Sequence, residues 1–573
     1  MADASAAKMS KALMKNILQR KNVDAANHFA LGIMGIACLY ILYFWTRPLY
    51  GRIGAGSRTN NAFHKPVQMI RKVRRKIILD TPGFISGGHV VVFILYLAIT
   101  LFVLFTNIDW ANLSGFAKRL GWLTVLNMCL SIFLGLKHTP LSLLTDQSYE
   151  KLNCLHQIAG YSSIASLFLH TVVYITRLSK AGRLSTVIGQ KAQVMGILAG
   201  ISLLIIFLTA IFLRKNYYEA FYVIHILMVF FALILAGLHR PKLSITRSSY
   251  ILVFAGSIWA VDRLLRLAKY VTSSYKNFVT ITPLPYNGTR VVFSKPLKSA
   301  IPGQHYFIWI PGIRTFESHP FTCLSAETGE FIIAAQSGFT QKLYQRALKE
   351  PGSILKASMD GPYGNPPNLM GFTKVLFIAG GSGASYTCSL AVDLVRKLGH
   401  STKTSLDFTL VLKHKAMTEW TSSQLNTLAS SPIVSLHVHV TRKEFEESSR
   451  NSLLPLSNFI SSIPLDFSSS SDTEKVVNSY FAVNNFPNST EKKEIRSTVT
   501  SDTYVKATMD INLGRPNINS QISQAVNTSS TTERIAIVAC GPVAMMVNIR
   551  RVVAENIRPE GPSLQLFSEQ FGW

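Results

Sequence analysis

Seven stretches of this chain, near 29–46, 86–106, 120–136, 155–176, 194–213, 220–238 and 249–267, are dominated by apolar residues and separated by polar loops. Each comes close to the roughly 20 residues that a helix needs to cross a hydrocarbon core. Two are marginal: 120–136 is short, and 249–267 ends in Asp262, Arg263 and Arg266. After Arg266 the period changes. Phe278–Thr282, Tyr306–Ile310 and Phe331–Ala334 are β-branched and aromatic runs set between turn residues, which predicts strands of a small antiparallel barrel. From Thr373 strand and helix patterns alternate. Val375–Ala379, Asp407–Leu412, Val434–Val440 and Ile535–Ala539 predict buried strands, and Ser385–Leu398 an amphipathic helix. Such alternation predicts a doubly wound parallel α/β sheet.

A Ser/Thr/Asn-rich tract from Glu444 to Thr532 interrupts this second pattern. A structureless stretch of that length inside a compact domain predicts a disordered insertion. It suits phosphorylation better than catalysis. Its Asn-x-Ser/Thr triplets face the cytosol in the topology argued below, so glycosylation is not expected there. The boundaries that follow are an N-terminal tail at 1–28, a membrane domain at 29–267, a β domain at 270–368, and an α/β domain at 369–573 carrying the insertion 444–532.

Composition agrees with a membrane protein: 48% of the 573 residues are hydrophobic and the mean hydropathy is +0.25. The net charge of +28 invites a nucleic-acid reading, but its distribution argues against one. The densest run, Arg71-Lys72-Val73-Arg74-Arg75-Lys76, lies between the first two apolar stretches. Positive charge in a short loop beside a span marks the cytoplasmic side, where it also meets anionic lipid. An odd number of spans then puts the C-terminal half in the cytosol. The basic loop Arg177–Lys191 argues weakly the other way. No cleavable signal peptide is expected, so the first span serves as the targeting signal. The six cysteines are scattered without CxxC spacing, which predicts neither a disulfide framework nor a zinc site.

Two histidine pairs, His156/His170 and His225/His239, lie in or beside the fourth and sixth apolar stretches, each pair 14 residues apart. Fourteen residues rise about 21 Å along a helix and fall about 40° short of four turns, so both histidines of a pair share one face. A single histidine in an apolar helix is usually an interface residue. Four, in two pairs of equal spacing and at an expensive location, point to function. The fourth and sixth spans run parallel, so His156 matches His225 near the cytosol and His170 matches His239 near the far face. Each matched pair suits axial ligation of a haem iron, and two haem b groups would make an electron path across the bilayer.

In the cytosolic half, Pro302-Gly303-Gln304 opens a strand that is followed by His319-Pro320-Phe321-Thr322. Gly380-Gly381-Ser382-Gly383-Ala384-Ser385 stands between a buried strand and a helix, where small residues let a phosphate reach free N–H groups and the helix dipole. With these motifs the chain resembles the ferric reductase and NADPH oxidase superfamily over most of 86–573, the insertion excepted. Within it, the chain resembles a compact fungal subfamily of probable metalloreductases, some with oxidase-like behaviour. That resemblance implies a haem domain followed by a ferredoxin-reductase-like module, with an antiparallel β-barrel FAD domain and an α/β NADPH domain. It implies that the His319-Pro320-Phe321-Thr322 turn cradles the flavin. Ser337, Gly338 and Thr340, in Gln336-Ser337-Gly338-Phe339-Thr340, would approach the flavin pyrophosphate. Gly361-Pro362-Tyr363-Gly364 would link the two domains. Gly380, Gly381, Ser382, Gly383 and Ser385 would take the NADPH pyrophosphate. Cys540-Gly541-Pro542 would lie near the nicotinamide, and the ending Glu569-Gln570-Phe571-Gly572-Trp573 would place Glu569 and the Trp573 ring at the flavin. For a 2′-phosphate the candidate cations at strand ends are Lys413, Lys415, Arg442 and Lys443.

The function implied is electron transfer from cytosolic NADPH through FAD and two haems to an acceptor on the far side. Ferric or cupric ions are the expected acceptors, with oxygen, as in a superoxide-generating oxidase, the alternative. An electron-feeding or non-catalytic subunit is the second alternative. The lipid bilayer is the expected partner, an oligomer is open, and the plasma membrane and the endoplasmic reticulum both fit. No Asp-x-Asp-x-Asp-Gly loop indicates calcium control.

Overall fold

The computed structural model describes the chain apart from residues 1, 57–60, 80, 82–83, 85, 109, 111–112, 146, 240–246, 298–299, 400–402, 443–509 and 570–573. The N-terminal half is helical: α1 (Ala2–Gly56), α2 (Asn61–Ile78), α3 (Gly87–Phe105), α4 (Leu113–Gly135), α5 (Pro140–Thr145), α6 (Tyr149–Lys180), α7 (Leu184–Ile188), α8 (Lys191–Phe212), α9 (Tyr218–Leu238) and α10 (Arg247–Ser274). Among the described residues six helices are long and apolar enough to cross a membrane, within α1, α3, α4, α6, α8 and α9. This is a multi-pass membrane protein. The seventh predicted span, 249–267, forms a helix, α10, that falls outside those six. Its second half carries Asp262, Arg263, Arg266 and Lys269: Asp262 pairs with His138 and Arg263, and Arg266 and Lys269 reach Asp360 of the next domain.

The predicted tail at 1–28 is corrected by the structure, because α1 is continuous from Ala2 and its apolar span begins at Asn16. Arg119 of α4 is the physical reason. Buried to 2% exposure, it donates to Asn22 Oδ1 and the Lys21 carbonyl of α1 and to the Val103 and Thr106 carbonyls at the end of α3. A buried guanidinium of this kind holds its partners because leaving it unpaired is costly.

The β domain is a seven-stranded antiparallel sheet, in the order β6-β1-β2-β5-β4-β3-β7. Its strands are β1 (Phe278–Leu284), β2 (Gly288–Phe293), β3 (His305–Trp309), β4 (His319–Ser325), β5 (Glu330–Ala334), β6 (Ser353–Lys356) and β7 (Ser358–Tyr363). They enclose a core of Val279, Ile281, Val291, Ile308 and Phe331, closed by Phe339, Leu343 and Ala347 of α11 (Gly338–Lys349). β1 alternates buried and open positions, as a strand with one buried face does, whereas β3 and β5 are buried along nearly their whole length. One expectation changes: His319-Pro320-Phe321-Thr322 is the first half of β4 and not a turn, paired with Ile308, Phe307, Tyr306 and His305 of β3.

The last domain is a six-stranded parallel sheet in the order β11-β10-β9-β8-β12-β13. Its strands are β8 (Lys374–Gly380), β9 (Ser405–Leu412), β10 (Val434–Val440), β11 (Asp510–Leu513), β12 (Arg534–Cys540) and β13 (Ser563–Glu569). Helices α12 (Ala384–Leu398), α13 (Ser422–Ala429), α14 (Ile518–Asn527) and α15 (Val543–Asn556) cover it. Strand order reverses between β8 and β12, the place where such sheets open a ligand crevice. The predicted insertion 444–532 is corrected at its end: β11 and α14 lie inside it. Asn517 caps α14 by accepting from Ser520 N, and Ile518, Ile522, Ala525 and Val526 pack into the sheet. Residues 443–509 lie outside the described chain, and so does the disorder expected there.

Candidate functional site

The two helix pairs α4/α6 and α8/α9 present four histidines, each supported from a neighbouring helix or facing one. His170 Nδ1 is 2.7 Å from the Ala117 carbonyl, His156 Nδ1 is 2.7 Å from the Ser131 carbonyl, and His239 Nδ1 is 2.7 Å from the Ala192 carbonyl. A ring whose Nδ1–H is given to a carbonyl keeps Nε2 as the free lone pair, the tautomer a metal ligand needs. His156 and His225 face each other with ring centres 6.2 Å apart. Two metal–imidazole bonds of about 2.0 Å, each followed by about 1.1 Å to the ring centre, span about the same distance. The donor set therefore fits an iron held between two imidazoles. The equal 14-residue spacing carries His170 and His239 together toward the other end of the parallel helices.

A cavity of about 2490 Å³ is lined by His156 and His225 in the helical domain and by residues of both soluble domains. His319, Pro320, Phe321 and Thr322 line it, as do Gln336, Ser337, Phe339 and Thr340 at the start of α11. There Gly338 has φ +55°, and the Thr340 hydroxyl accepts from Gln336 N, so the first turn of α11 is turned toward the cavity. Its free N–H groups suit an anion. His319 stacks on Phe339 at 4.8 Å and lies 3.4 Å from Glu317. Glu219, from the first turn of α9, comes close enough to both for the three ligand atoms to hold a cation, all within 4.8 Å. His170 and His239 are not among the residues that line this cavity.

At the switch point the loops after β8 and β12 touch. A Cβ on Gly383 would lie 2.3 Å from the Cys540 carbonyl oxygen, and one on Gly380 2.7 Å from Pro542 Cδ. Gly381 has φ +55°. Ser382, Ser385 and Tyr386 face the cavity, and Glu569 closes it from the end of β13, in register with Cys540 of β12. Burial and the Glu569 carboxylate push the Cys540 thiol up, so it stays protonated at neutral pH. Burial, Glu569 and Cys540 raise the Tyr386 hydroxyl as well. The strand ends bring Lys413 and Arg442 side by side, with Arg442 N donating to the Lys413 carbonyl; both side chains are exposed and outside the cavity lining. Gly541 and Pro542 pack against Gly380. Trp573 and Lys443 lie outside the described residues.

The sequence reading missed the contacts that seat the soluble domains on the helices. Arg266 Nε donates to Asp360 Oδ2 at 2.9 Å, the Tyr363 hydroxyl donates to Asp360 Oδ1 at 2.7 Å, and His138 Nδ1 lies 3.2 Å from Asp262 Oδ1. Arg263 and Arg266 both donate to the Tyr222 hydroxyl, one turn before His225. Lys151, five residues before His156, pairs with Glu569 at 2.8 Å. Gly361-Pro362-Tyr363-Gly364, expected as a linking turn, includes the end of β7 and supplies this junction with Tyr363. A sequence signal existed for one further set. Gly121 and Gly135 in α4 carry the same 14-residue spacing as the histidines they face.

Three families match successive parts of the chain: "Ferric reductase like transmembrane component" at 120–236, "FAD-binding domain" at 274–367 and "Ferric reductase NAD binding domain" at 372–554. Among curated relatives, Ferric/cupric reductase transmembrane component 2 of Schizosaccharomyces pombe is 26% identical over 58% of this chain and 66% of its own length. Ferric/cupric reductase transmembrane component 1 of Candida albicans is 24% identical over 77% of this chain and 55% of its own. The Aspergillus oryzae protein named "Probable cell surface ferric reductase kap2" is 25% identical over 59% and 48%. The chain thus spans about half to two thirds of the length of these relatives.

Proposed function

From a chain that belongs to the ferric reductase superfamily, we propose a transmembrane metalloreductase that takes electrons from NADPH on the cytosolic side and delivers them to ferric or cupric ions on the other. The observation that carries this is the facing pair His156/His225, in the wall of the same cavity that Ser382 and Glu569 line. The relatives named ferric/cupric reductases support the metal acceptor. FAD and two haem b groups, when bound, would convert a two-electron hydride donor into single electrons across the bilayer.

The chain's own residues have separable tasks. His156 with His225, and His170 with His239, would hold the two irons, with three carbonyls fixing the ring tautomers. His319, Pro320, Phe321 and Thr322 would line the flavin, and Ser337, Gly338 and Thr340 would meet its pyrophosphate at the start of α11. Gly380, Gly381, Ser382, Gly383 and Ser385 would give the NADPH pyrophosphate close backbone approach. Lys413 and Arg442 would neutralise the 2′-phosphate. Cys540 and Glu569 would border the nicotinamide, with Gly541 and Pro542 shaping the loop and Trp573 covering the flavin. A cytosolic placement of the soluble domains is supported by α2, whose Arg71 donates to the carbonyls of Arg558, Pro559 and Gly561. The basic helix and the soluble domains share one face, which the positive-inside bias makes cytosolic. The cell-surface relative favours the plasma membrane.

The test is purified full-length protein with an absorption spectrum of two bis-histidine haems that bleaches on adding NADPH with FAD. Proteoliposomes then report Fe(III) or Cu(II) reduction on the face opposite NADPH, with superoxide dismutase as a second arm. Metal reduction insensitive to the dismutase supports the proposal. Dismutase-sensitive reduction would assign an oxidase, and well-folded protein without haem would sink the electron path altogether. His170→Ala should lose the outer haem yet keep NADPH-to-dye activity.

A further inference from the structure

Three of the four histidines rest on the same built feature, and the fourth does not. The carbonyls that hold His170, His156 and His239 belong to Ala117, Ser131 and Ala192, and four residues after each comes a glycine: Gly121, Gly135 and Gly196. The glycine has a steric reason. A helix carbonyl points toward the turn four residues on, so a ring that shares that carbonyl must lie over that turn. A Cβ there would come within 3.2 Å of the His170 ring, 3.0 Å of the His156 ring and 2.3 Å of the His239 ring.

The register of the helix pairs says where the fourth seat belongs. In the antiparallel pair α4/α6, stepping 14 residues back from His170 to His156 moves the contact 14 forward, from Gly121 to Gly135. In α8/α9 the same step from His239 to His225 leads from Gly196 to position 210, which is Ala210, with Ile206 as the carbonyl four residues before. Ala210, Ile206 and His225 line the same cavity. Among the described residues, His225 Nδ1 is buried and has no hydrogen-bond partner.

We infer that Gly121, Gly135 and Gly196 are positioning residues that seat three axial imidazoles, and that Ala210 withholds the seat from His225. This inference rests on the haem reading above. An imidazole that donates Nδ1–H to a carbonyl is a stronger ligand and stabilises the ferric state, which lowers the potential of its iron. His225, without that donation, is the weakest of the four ligands. The site it shares with His156 therefore has a raised potential and a looser hold on haem. The asymmetry falls at the histidine pair that lines the cavity shared with the flavin domain.

The experiment is optical redox titration of full-length holoprotein in detergent, with haem retention during gel filtration in imidazole as a second readout. Ala210→Gly opens the seat. Half of the absorbance change should shift to lower potential while the other half stays in place, and imidazole should strip that haem several-fold more slowly. Gly135→Ala should shift the same half upward, and Gly196→Ala the other half. Ala199→Gly, a glycine placed elsewhere in α8, controls for helix flexibility and should move neither. Unchanged potentials and retention in Ala210→Gly, or equal shifts of both halves, would overturn the inference even if the glycine-to-alanine variants fail to fold. Wild-type protein that binds no haem would instead overturn the functional reading on which the inference stands.

Discussion

Replacing Arg266 by methionine should loosen the seat of the flavin domain on the membrane helices. Asp360 is fully buried, and its carboxylate has the Arg266 Nε at 2.9 Å, the Tyr363 hydroxyl at 2.7 Å and the Lys269 Nζ at 3.9 Å. At an effective dielectric of about 20 the Arg266–Asp360 attraction is about 6 kcal/mol before desolvation. Breaking one side of such a pair typically costs about 3–5 kcal/mol, because the other charge stays buried. Lys269 compensates in part, but its side chain is 37% exposed and screened by solvent, so the low end, about 3 kcal/mol, is expected. That is about a hundredfold in an opening equilibrium. Hydrogen exchange reads it directly: amides of β7, including Met359 N, which donates to Ser273 Oγ of α10, should lose about a hundredfold protection. Amides of β8 and β12 should not change. Arg266→Met with Asp360→Leu removes both charges and should recover most of the protection. A single variant that exchanges less than threefold faster, or a double variant as loose as the single, would refute the reasoning.

Gly383→Ala drives a methyl into the Cys540 carbonyl at 2.3 Å, so NADPH-to-dye turnover should fall at least tenfold while haem content stays at wild type, checked by steady-state kinetics beside the Soret absorbance. Alkali should destabilise the soluble domains. Burial pushes the Cys323 and Cys388 thiols up to about 12 and the Cys540 thiol further, so above the ordinary value of 9.0 the unfolded chain loses protons that the folded chain keeps. Stability then falls as pH rises past 9, by at most about 1.4 kcal/mol per unit for each thiol. Replacing Cys388 and Cys540 by alanine should flatten the pH dependence of the denaturant midpoint between pH 8.5 and 10.5, and an unchanged slope would exclude these thiols as its source. Lys151→Met removes the partner of Glu569 at 2.8 Å. With 30% and 15% of the two side chains exposed, the loss should be about 1 kcal/mol, seen as a severalfold slower reduction of the membrane chromophore by NADPH with dye reduction intact. Equal slowing of both reactions would place Lys151 in the nucleotide chemistry instead.

What the chain alone determined was periodic. The 14-residue spacing of His156/His170 and His225/His239 sets a shared face and a depth difference from helix geometry alone, and β1, β3, β5 and the parallel strands β8, β9, β10 and β12 follow from which positions alternate or run apolar. Loops with special composition, at 380–385 and 540–542, were legible because small residues next to a strand end have few other uses. Tertiary structure decided everything that depends on partners distant in sequence. Arg266 meets Asp360 across 94 residues and Lys151 meets Glu569 across 418, pairings that no local pattern encodes. β11 and α14 looked like part of a polar tract because edge position and one apolar stripe are enough to order them once a sheet is present. His319-Pro320-Phe321-Thr322 became strand because β3 pairs with all four of its residues. The four histidines were visible as ligand candidates, but that three have glycine seats and His225 does not emerged only when the register of α4 on α6 and of α8 on α9 was known. Helix period is a property of one segment, whereas register is a property of two.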